Sequence, residues 1–173
     1  MEQAATYSAT DTLRDGRAVQ VRALRREDES ELLQDFEQGS TESLHRRFFA
    51  VKRHFSEEEK DFLFHADFIT NVVLLAIIDE GARQVIAGGV RYVLTAPRAA
   101  ELAFSVLDRY HGQGIGSVLM RHIVALARQA GLKTLTAEVL PENLAMLKIL
   151  QRSGLFVSTS NDPQVVHLTL KLS

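Results

Sequence analysis

Apolar residues recur along the chain with two different periods, and the changes of period predict its secondary structure. Val19 and Val21 alternate with polar residues in AVQVRAL, which predicts a first strand over 18–24. Apolar residues then fall at helical spacing among acidic ones, which predicts three helices in RREDESELLQDFEQ, STESLHRRFF and SEEEKDFLFH. The last of these opens on Ser56 and Glu59, which have the spacing of a capping box.

Short apolar or alternating runs rich in β-branched residues begin at Asn71. NVVLLAII, QVIAGGVRYVL and AELAFSVL predict three strands, with DEGAR over 79–83 as a hairpin turn. A helix follows through about Ala130, then a strand in LKTLTAEVL, a helix ending at Gly154, and two strands in LFVST and VVHLTLKL. The order βααα-βββ-αβ-αββ predicts an α/β fold with one mixed central sheet and helices on both faces.

Composition limits the classes of function. A chain of 173 residues fits one domain, and we expect a polar N-terminal lead-in over 1–17 and a single domain over 18–173. The absence of cysteine excludes disulfides and a thiol nucleophile and fits the reducing cytoplasm. The net charge of −2, the short apolar runs and the polar N-terminus give no reason to expect a nucleic-acid or membrane partner. A homodimer stays open.

The segment YHGQGIGSVLMRHIVALARQAG, over 110–131, carries the strongest chemical signal. Gly112, Gly114 and Gly116 alternate immediately before a helix whose apolar residues have helical spacing. Helix N-termini have unpaired amides and a positive dipole end, and glycine lets an anion approach them closely. The segment therefore predicts a phosphate-bearing ligand, with a tight loop that binds nothing as the alternative.

Two common phosphate motifs fit this segment poorly. A dinucleotide fingerprint needs G-x-G-x-x-G, but the final position is Ser117 counted from Gly112 and Leu119 counted from Gly114. A P-loop needs Gly-Lys-Ser/Thr, which does not follow. A dinucleotide-dependent oxidoreductase therefore remains only as a disfavoured alternative.

A resemblance to one family explains the segment better. AELAFSVLDRYHGQGIGSVLM resembles the cofactor-binding segment of the GNAT superfamily of N-acetyltransferases, which carries Q/R-x-x-G-x-G/A where this chain has His111 to Gly116. PENLAMLKILQRSGL resembles the family's second signature, and the likeness extends over about 18–170. More narrowly, the segments over 42–49, 100–106 and 141–147 resemble those of Pat-type protein lysine acetyltransferases. The sequence departs from the family at His111, where Gln or Arg is usual.

The resemblance implies a reaction and a set of contacts. Acetyl-CoA would be the co-substrate, and its acetyl group would pass directly to a primary amine on a protein lysine or a small molecule. Arg109, Arg121 and Lys148 are candidates for binding the adenosine phosphates. Asn143 is either a cofactor contact or the N-cap of the next helix. The expected cofactor-binding residues are Phe104, Ser105, Val106, His111, Gly112, Gln113, Gly114, Ile115, Gly116, Ser117 and Asn143.

Transfer to an amine requires a base, because an amine of the lysine type has a pKa of about 10.4 and attacks only when neutral. Glu101, on the strand before the glycine loop, is the candidate base, and an exposed strand-end residue is the alternative. The position where many family members have a tyrosine acid is Leu150, which leaves Tyr92, Tyr110 or solvent to protonate the thiolate. The histidine spacings predict no metal site. A CoA-binding sensor or interaction module without turnover is the alternative function.

Overall fold

An eight-stranded mixed sheet forms the centre of the computed structural model, which describes residues 2–31, 66–161 and 165–172. The strands are β1 Ser8–Thr12, β2 Ala18–Ala23, β3 Asn71–Glu80, β4 Arg83–Ala96, β5 Ala99–Val106, β6 Thr134–Val139, β7 Phe156–Asn161 and β8 Val166–Lys171. Their order across the sheet is β1-β2-β3-β4-β5-β6-β8-β7. Every neighbouring pair is antiparallel except β5 and β6, which are parallel.

Three α-helices are described: α1 Glu2–Ala5, α2 Ile115–Gln129 and α3 Leu144–Gln151. The predicted helix after the glycines ends one residue earlier than expected, and α3 ends three residues before the predicted Gly154. Arg26–Asp28 and Asp108–Tyr110 form short 3-10 helices. The helices predicted in STESLHRRFF and SEEEKDFLFH lie outside the described residues, as does the second half of the one before them, of which 29–31 are helical.

The N-terminal residues are part of the sheet rather than a lead-in. Ser8–Thr12 pairs antiparallel with β2 over its full length, and Ala4 and Leu13 on either side of it are buried. The prediction of a lead-in over 1–17 was therefore wrong for this strand. SATDT contains one apolar residue, so it lacks the alternation by which an edge strand is recognised.

The two faces of the sheet bury different sets of side chains. On one face, α2 packs Ile115, Leu119 and Ile123 against the sheet, all at most 1% exposed. On the opposite face, a smaller cluster contains Leu75 and Ile77 of β3. Successive side chains of a strand point to opposite faces, which explains why β3 reads as a continuous apolar run.

The parallel pairing of β5 and β6 ends inside both strands. Ala99–Leu102 pairs with Thr134–Ala137, but β5 continues to Val106 and β6 to Val139 without pairing to each other. The two strands therefore separate and leave a gap in the sheet. The glycine loop and the first turn of α2 follow directly from the unpaired end of β5.

Candidate functional site: a cationic cleft at the separated strands

Two of the three glycines are required by the path of the loop. Gly112 has a φ of 77° and Gly114 a φ of 94°, in the left-handed region that other residues enter at a cost of about 1–2 kcal/mol. A Cβ built on either residue would meet nothing within 4 Å. The space above these two glycines is therefore open, as an approaching anion requires.

The third glycine, Gly116, is required by the packing of two helices and not by the path of the loop. A Cβ on Gly116 would lie 2.7 Å from Cδ1 of Ile149, so this glycine allows α2 and α3 to pack closely. Gly116 also lines the cleft, so its predicted contact with the cofactor stays a prediction beside this packing role. The sequence signal treats the three alike because it records residue type and not the neighbouring helix.

The first turn of α2 faces outward with unpaired amides. Gly114 is the N-cap, and the first helical bond runs from the Val118 amide to the Gly114 carbonyl at 3.1 Å. The amides of Ile115, Gly116 and Ser117 consequently have no acceptor within the helix. No acidic side chain lies in this turn, so the positive end of the helix dipole stays uncompensated.

These amides open into a cleft of about 790 Å³. The cleft runs from the unpaired end of β5, past the glycine loop, between α2 and α3. Every predicted cofactor residue except Gln113 lines it: Phe104, Ser105, Val106, His111, Gly112, Gly114, Ile115, Gly116, Ser117 and Asn143.

Gln113 points away from this cleft. Its Nε2 donates to the carbonyl of Arg109 at 2.9 Å, and its Oε1 accepts a hydrogen bond from the guanidinium of Arg17. These bonds engage the side chain only, so a cofactor contact of Gln113 stays a prediction for its backbone amide. The side chain of Gln113 ties the loop to the turn between β1 and β2.

His111 replaces the usual Gln or Arg of the family motif and has a local partner. Its Nε2 lies 2.8 Å from the carbonyl oxygen of Val106. Because a carbonyl oxygen only accepts, Nε2 carries the hydrogen of this bond and donates it. The bond fastens the loop to the end of β5 and engages one carbonyl that we expected to face the cofactor.

The walls of the cleft are cationic. Among the described residues that line it, five are basic and none is acidic: Arg14, Arg121, Arg128, Lys148 and Arg152. Arg128 follows Arg121 by seven residues and Arg152 follows Lys148 by four, so helical spacing could have found both. Arg14 was missed because it lay in the expected lead-in.

Arg109, the third candidate for the phosphates, lies outside the cleft. Its guanidinium pairs with Glu80 at 3.0 Å and lies 5.3 Å from the ring centre of Tyr110. Its expected role is therefore not supported by its position. The cations that line the cleft are better placed for anionic groups, although Arg121 among them already pairs with Asp11 at 2.7 Å.

Asn143 caps α3 and lines the cleft at the same time. Its Oδ1 accepts from the Met146 amide at 3.3 Å, which is the N-cap interaction. Its Nδ2 takes no part in that bond and can donate to a ligand. The two roles left open by the sequence are therefore compatible, because they use different atoms.

Glu101 lies on β5 outside the set of residues that line the cleft. It is exposed and sits three residues before Phe104, about 10 Å along the strand. It shares a face of the sheet with Arg91. Burial lowers the pKa of the Arg91 guanidinium, and the Glu101 carboxylate offsets part of this shift. Glu101 is also paired across the sheet with Thr136, one pair before the last one, Leu102 with Ala137, after which β5 and β6 separate.

The positions considered for a general acid are occupied by other interactions. Leu150, at the family's tyrosine position, is fully buried in the core. Tyr92 is 2% exposed in the same core, and burial raises its pKa. Tyr110 lines the cleft but donates its hydroxyl proton to Glu80, and burial followed by this bond raises its pKa.

Neither a metal site nor a membrane-spanning helix occurs within the part of the chain that the structure describes. No three histidine, cysteine, aspartate or glutamate side chains among these residues are grouped as a metal site would need. None of the described helices has the length and apolar content to cross a bilayer.

The chain is similar to known acetyltransferases. The model of the acetyltransferase (GNAT) family matches residues 30–155. Acetyltransferase Pat of Mycolicibacterium smegmatis is 37% identical over 117 residues, which are 66% of this chain and 34% of that protein. The chain thus spans about a third of the length of this curated relative.

Solved structures agree with this likeness. The GNAT domain of S. lividans PAT is 34% identical, with a TM-score of 0.82 over 95% of this chain and 96% of that one. A Salmonella typhimurium protein solved with its cofactor acetyl-CoA is 14% identical, with a TM-score of 0.72 over 90% and 94%, and shows the shared fold alone. The resemblance to GNAT enzymes, and to Pat among them, is confirmed. The chain belongs to the GNAT family of acetyltransferases.

Proposed function

We propose that this protein transfers the acetyl group of acetyl-CoA to a primary amine by direct attack. The observation that carries the proposal is the cleft itself, in which an unpaired strand edge, an uncompensated helix N-terminus and cationic walls meet. Acetyl-CoA has matching parts in the same order: an amide-bearing arm, a pyrophosphate and a phosphorylated nucleoside. Family membership supports the reaction class.

The pyrophosphate would bind at the start of α2. The amides of Ile115 to Ser117 have no helical acceptor, and the left-handed glycines leave the space beside them open. Amide donors and the helix dipole together favour a phosphate group at such a position. Lys148 would add a charge-assisted contact from α3, and Arg121, which already pairs with Asp11, would add one from α2 with its remaining donors.

The pantetheine arm would lie along the unpaired part of β5. Phe104 to Val106 line the cleft and have lost their partner strand on the β6 side. Their backbone groups can bond to the amides of the arm as a neighbouring strand would. Asn143 would contribute its Nδ2 donor from the opposite wall.

Glu101 would act as the base from the other face of the sheet. The gap between β5 and β6 joins the two faces, so a thioester lying in the gap can be approached from the side that bears Glu101. The amine nitrogen would attack the carbonyl carbon, its proton would pass through water to the carboxylate, and the carbon–sulfur bond would break. Solvent would protonate the departing thiolate, since Tyr110 already donates to Glu80.

A protein lysine is the acceptor that the Pat-like segments favour. The chain matches Acetyltransferase Pat over 117 residues and the GNAT domain of PAT over almost its whole length. A polyamine or another small amine presents the same group to the base and is the alternative acceptor. The absence of cysteine fits action in the cytoplasm.

One observation favours a second function. Leu150 is buried where a tyrosine acid stands in many relatives, and the proton of the Tyr110 hydroxyl is engaged. A protein that binds acetyl-CoA without turning it over would need neither group. Such a CoA-binding module is the alternative to the enzyme.

A thiol-release assay separates these functions. Purified protein is mixed with acetyl-CoA and, in separate reactions, a lysine-bearing peptide, a polyamine or a small amine. We expect thiol release that depends on an amine, with no turnover when NAD replaces acetyl-CoA. Acetyl-CoA binding by calorimetry without release for any amine would favour the binding module, and binding of NAD alone would overturn both.

A further inference from the structure

The turn between β1 and β2 lies beside the cleft, although it is about 100 residues away from the glycine loop in sequence. It is a tight turn: the Leu13 amide donates to the Arg17 carbonyl at 2.8 Å, and the Gly16 amide donates to the Leu13 carbonyl at 3.0 Å. Arg14, at its tip, is exposed and lines the cleft.

Side chains from both ends of the turn hold it against the site. Arg17 donates to the side chain of Gln113 in the glycine loop. On the β1 side, Asp11 accepts from Arg121 of α2 at 2.7 Å, and this bond, followed by the one from the Thr12 amide, lowers the pKa of Asp11 to about 2. The turn is thus fixed to the glycine loop through Arg17 and to α2 through Asp11.

A second contact strengthens the attachment of β1 to α2. His122 lies between Asp11, 3.2 Å from its Nε2, and the hydroxyl of Tyr7, 2.5 Å from its Nδ1. The ring of Tyr7 packs edge-on against the imidazole at 5.8 Å between centres. Tyr7 lies just before β1 and Asp11 near its end. The strand therefore cannot slide along α2 without breaking the contacts that these two residues make with His122.

The arginines at and beside the turn differ in whether a carboxylate already pairs with them. Arg17 pairs with Asp15 at 2.8 Å, and Arg121 pairs with Asp11. Within the described part of the chain, no carboxylate pairs with Arg14. Arg14, which lines the cleft, therefore has its charge and its five donors uncommitted to any acid of the described residues.

We propose that the β1–β2 turn is part of the cofactor site and that Arg14 binds a phosphate of the cofactor. The inference rests on the proposed function, because it takes acetyl-CoA as the ligand. A guanidinium matches a phosphate with two parallel hydrogen bonds, and a rigid turn presents it without a large loss of backbone freedom. The phosphate is either the pyrophosphate or the 3′-phosphate of the nucleoside.

Arg14→Gln tests the contact, with Arg83→Gln as the matched control. Arg83 is also an exposed arginine beside a hairpin turn, and it does not line the cleft. Both variants lose one positive charge. We expect Arg14→Gln to raise the Kd for acetyl-CoA by about 5- to 10-fold at low salt, with the difference shrinking as salt screens the charge. Arg83→Gln should bind like the wild type.

Two analogues locate the phosphate. Acetyl-dephospho-CoA lacks the 3′-phosphate, and S-acetylpantetheine lacks all of the nucleotide. If Arg14 binds the 3′-phosphate, Arg14→Gln and the wild type should bind acetyl-dephospho-CoA equally. If it binds the pyrophosphate, the loss of affinity should persist with acetyl-dephospho-CoA. In both cases the KM for S-acetylpantetheine should be the same in variant and wild type.

The binding measurements distinguish a failure of this inference from a failure of the proposed function. If the wild type binds acetyl-CoA and Arg14→Gln binds it as tightly as Arg83→Gln, Arg14 makes no phosphate contact and the inference is overturned. If the wild type itself does not bind acetyl-CoA, the proposed function fails first and this inference with it. Arg14→Lys keeps the positive charge but loses the planar guanidinium that forms two parallel hydrogen bonds. This variant should recover part of the affinity for acetyl-CoA that Arg14→Gln loses.

Discussion

The backbone at Gly114, with a φ of 94°, sets the geometry of the loop where we place the pyrophosphate. Gly131, just after the other end of α2, has a φ of 82°, and a Cβ there would likewise meet nothing within 4 Å. The two glycines therefore carry the same conformational demand in similar open space. They differ in that only Gly114 lines the cleft.

Replacing these two glycines by alanine separates strain from ligand binding. Each variant should lose about 1–2 kcal/mol of stability, because alanine adopts the left-handed conformation only at that cost. Only Gly114→Ala should also weaken acetyl-CoA binding, by about tenfold or more, because its methyl group enters the space of the phosphate. Calorimetry and thermal unfolding measure the two effects. Equal affinity in both variants would show that no anion sits over Gly114.

At the level of elements, α3 joins the stability of the fold to the site. Its N-cap, Asn143, uses Oδ1 to bind the Met146 amide and keeps Nδ2 for the cleft. Its Ile149 fills the space that Gly116 leaves in α2. A change in α3 can therefore alter the fold, the ligand or both, depending on the atom that is removed.

Two substitutions at Asn143 distinguish the cap from the ligand contact. Asn143→Asp keeps the cap, since Asp is as good an N-cap, but it removes the donor and adds a negative charge near the phosphates. We expect its Tm to stay within about 1 °C while its affinity for acetyl-CoA falls about tenfold or more.

Asn143→Ala serves as the comparison, because it loses both the cap and the donor. Its Tm should fall by about 2–4 °C, which corresponds to about 1 kcal/mol for a chain of this size. Wild-type affinity in Asn143→Asp would leave Asn143 as a cap alone.

The elements that could be predicted from sequence are those with a strong period of their own. α2 and the strands from β3 to β8 have regular apolar spacing, and the structure confirms them. β1 has no such spacing and is defined by its pairing with β2 and by the contacts of Asp11. Arg14 was missed for the same reason, because only tertiary structure brings the turn to the cleft.

At the scale of the whole molecule, the site depends on two faces of one sheet. The cofactor cleft lies on the face of α2, whereas Glu101 lies on the opposite face beside Arg91. The sequence predicted that Glu101 and the cleft residue Phe104 lie on the same strand, β5. Alternation along that strand correctly assigned them to opposite faces of the sheet. It could not show that β5 and β6 separate after Leu102, which is what connects the faces.

The pH profile of Glu101→Gln tests the account most directly, because it requires the cleft, the gap and the opposite face to act together. Glutamine keeps the shape of the side chain but cannot take a proton. Acetyl-CoA should bind as before, while thiol release at about pH 7 falls by about 10²-fold or more. The defect should shrink as pH rises toward the amine pKa of about 10.4, where more of the amine is neutral without a base.

Glu27→Gln, a change at an exposed glutamate that does not line the cleft, is the matched control and should follow the wild type at every pH. The account predicts that only Glu101→Gln shows the large, pH-dependent loss of turnover. A rate for Glu101→Gln within about threefold of wild type between about pH 6 and pH 9 would contradict it, because general-base catalysis is worth more than that.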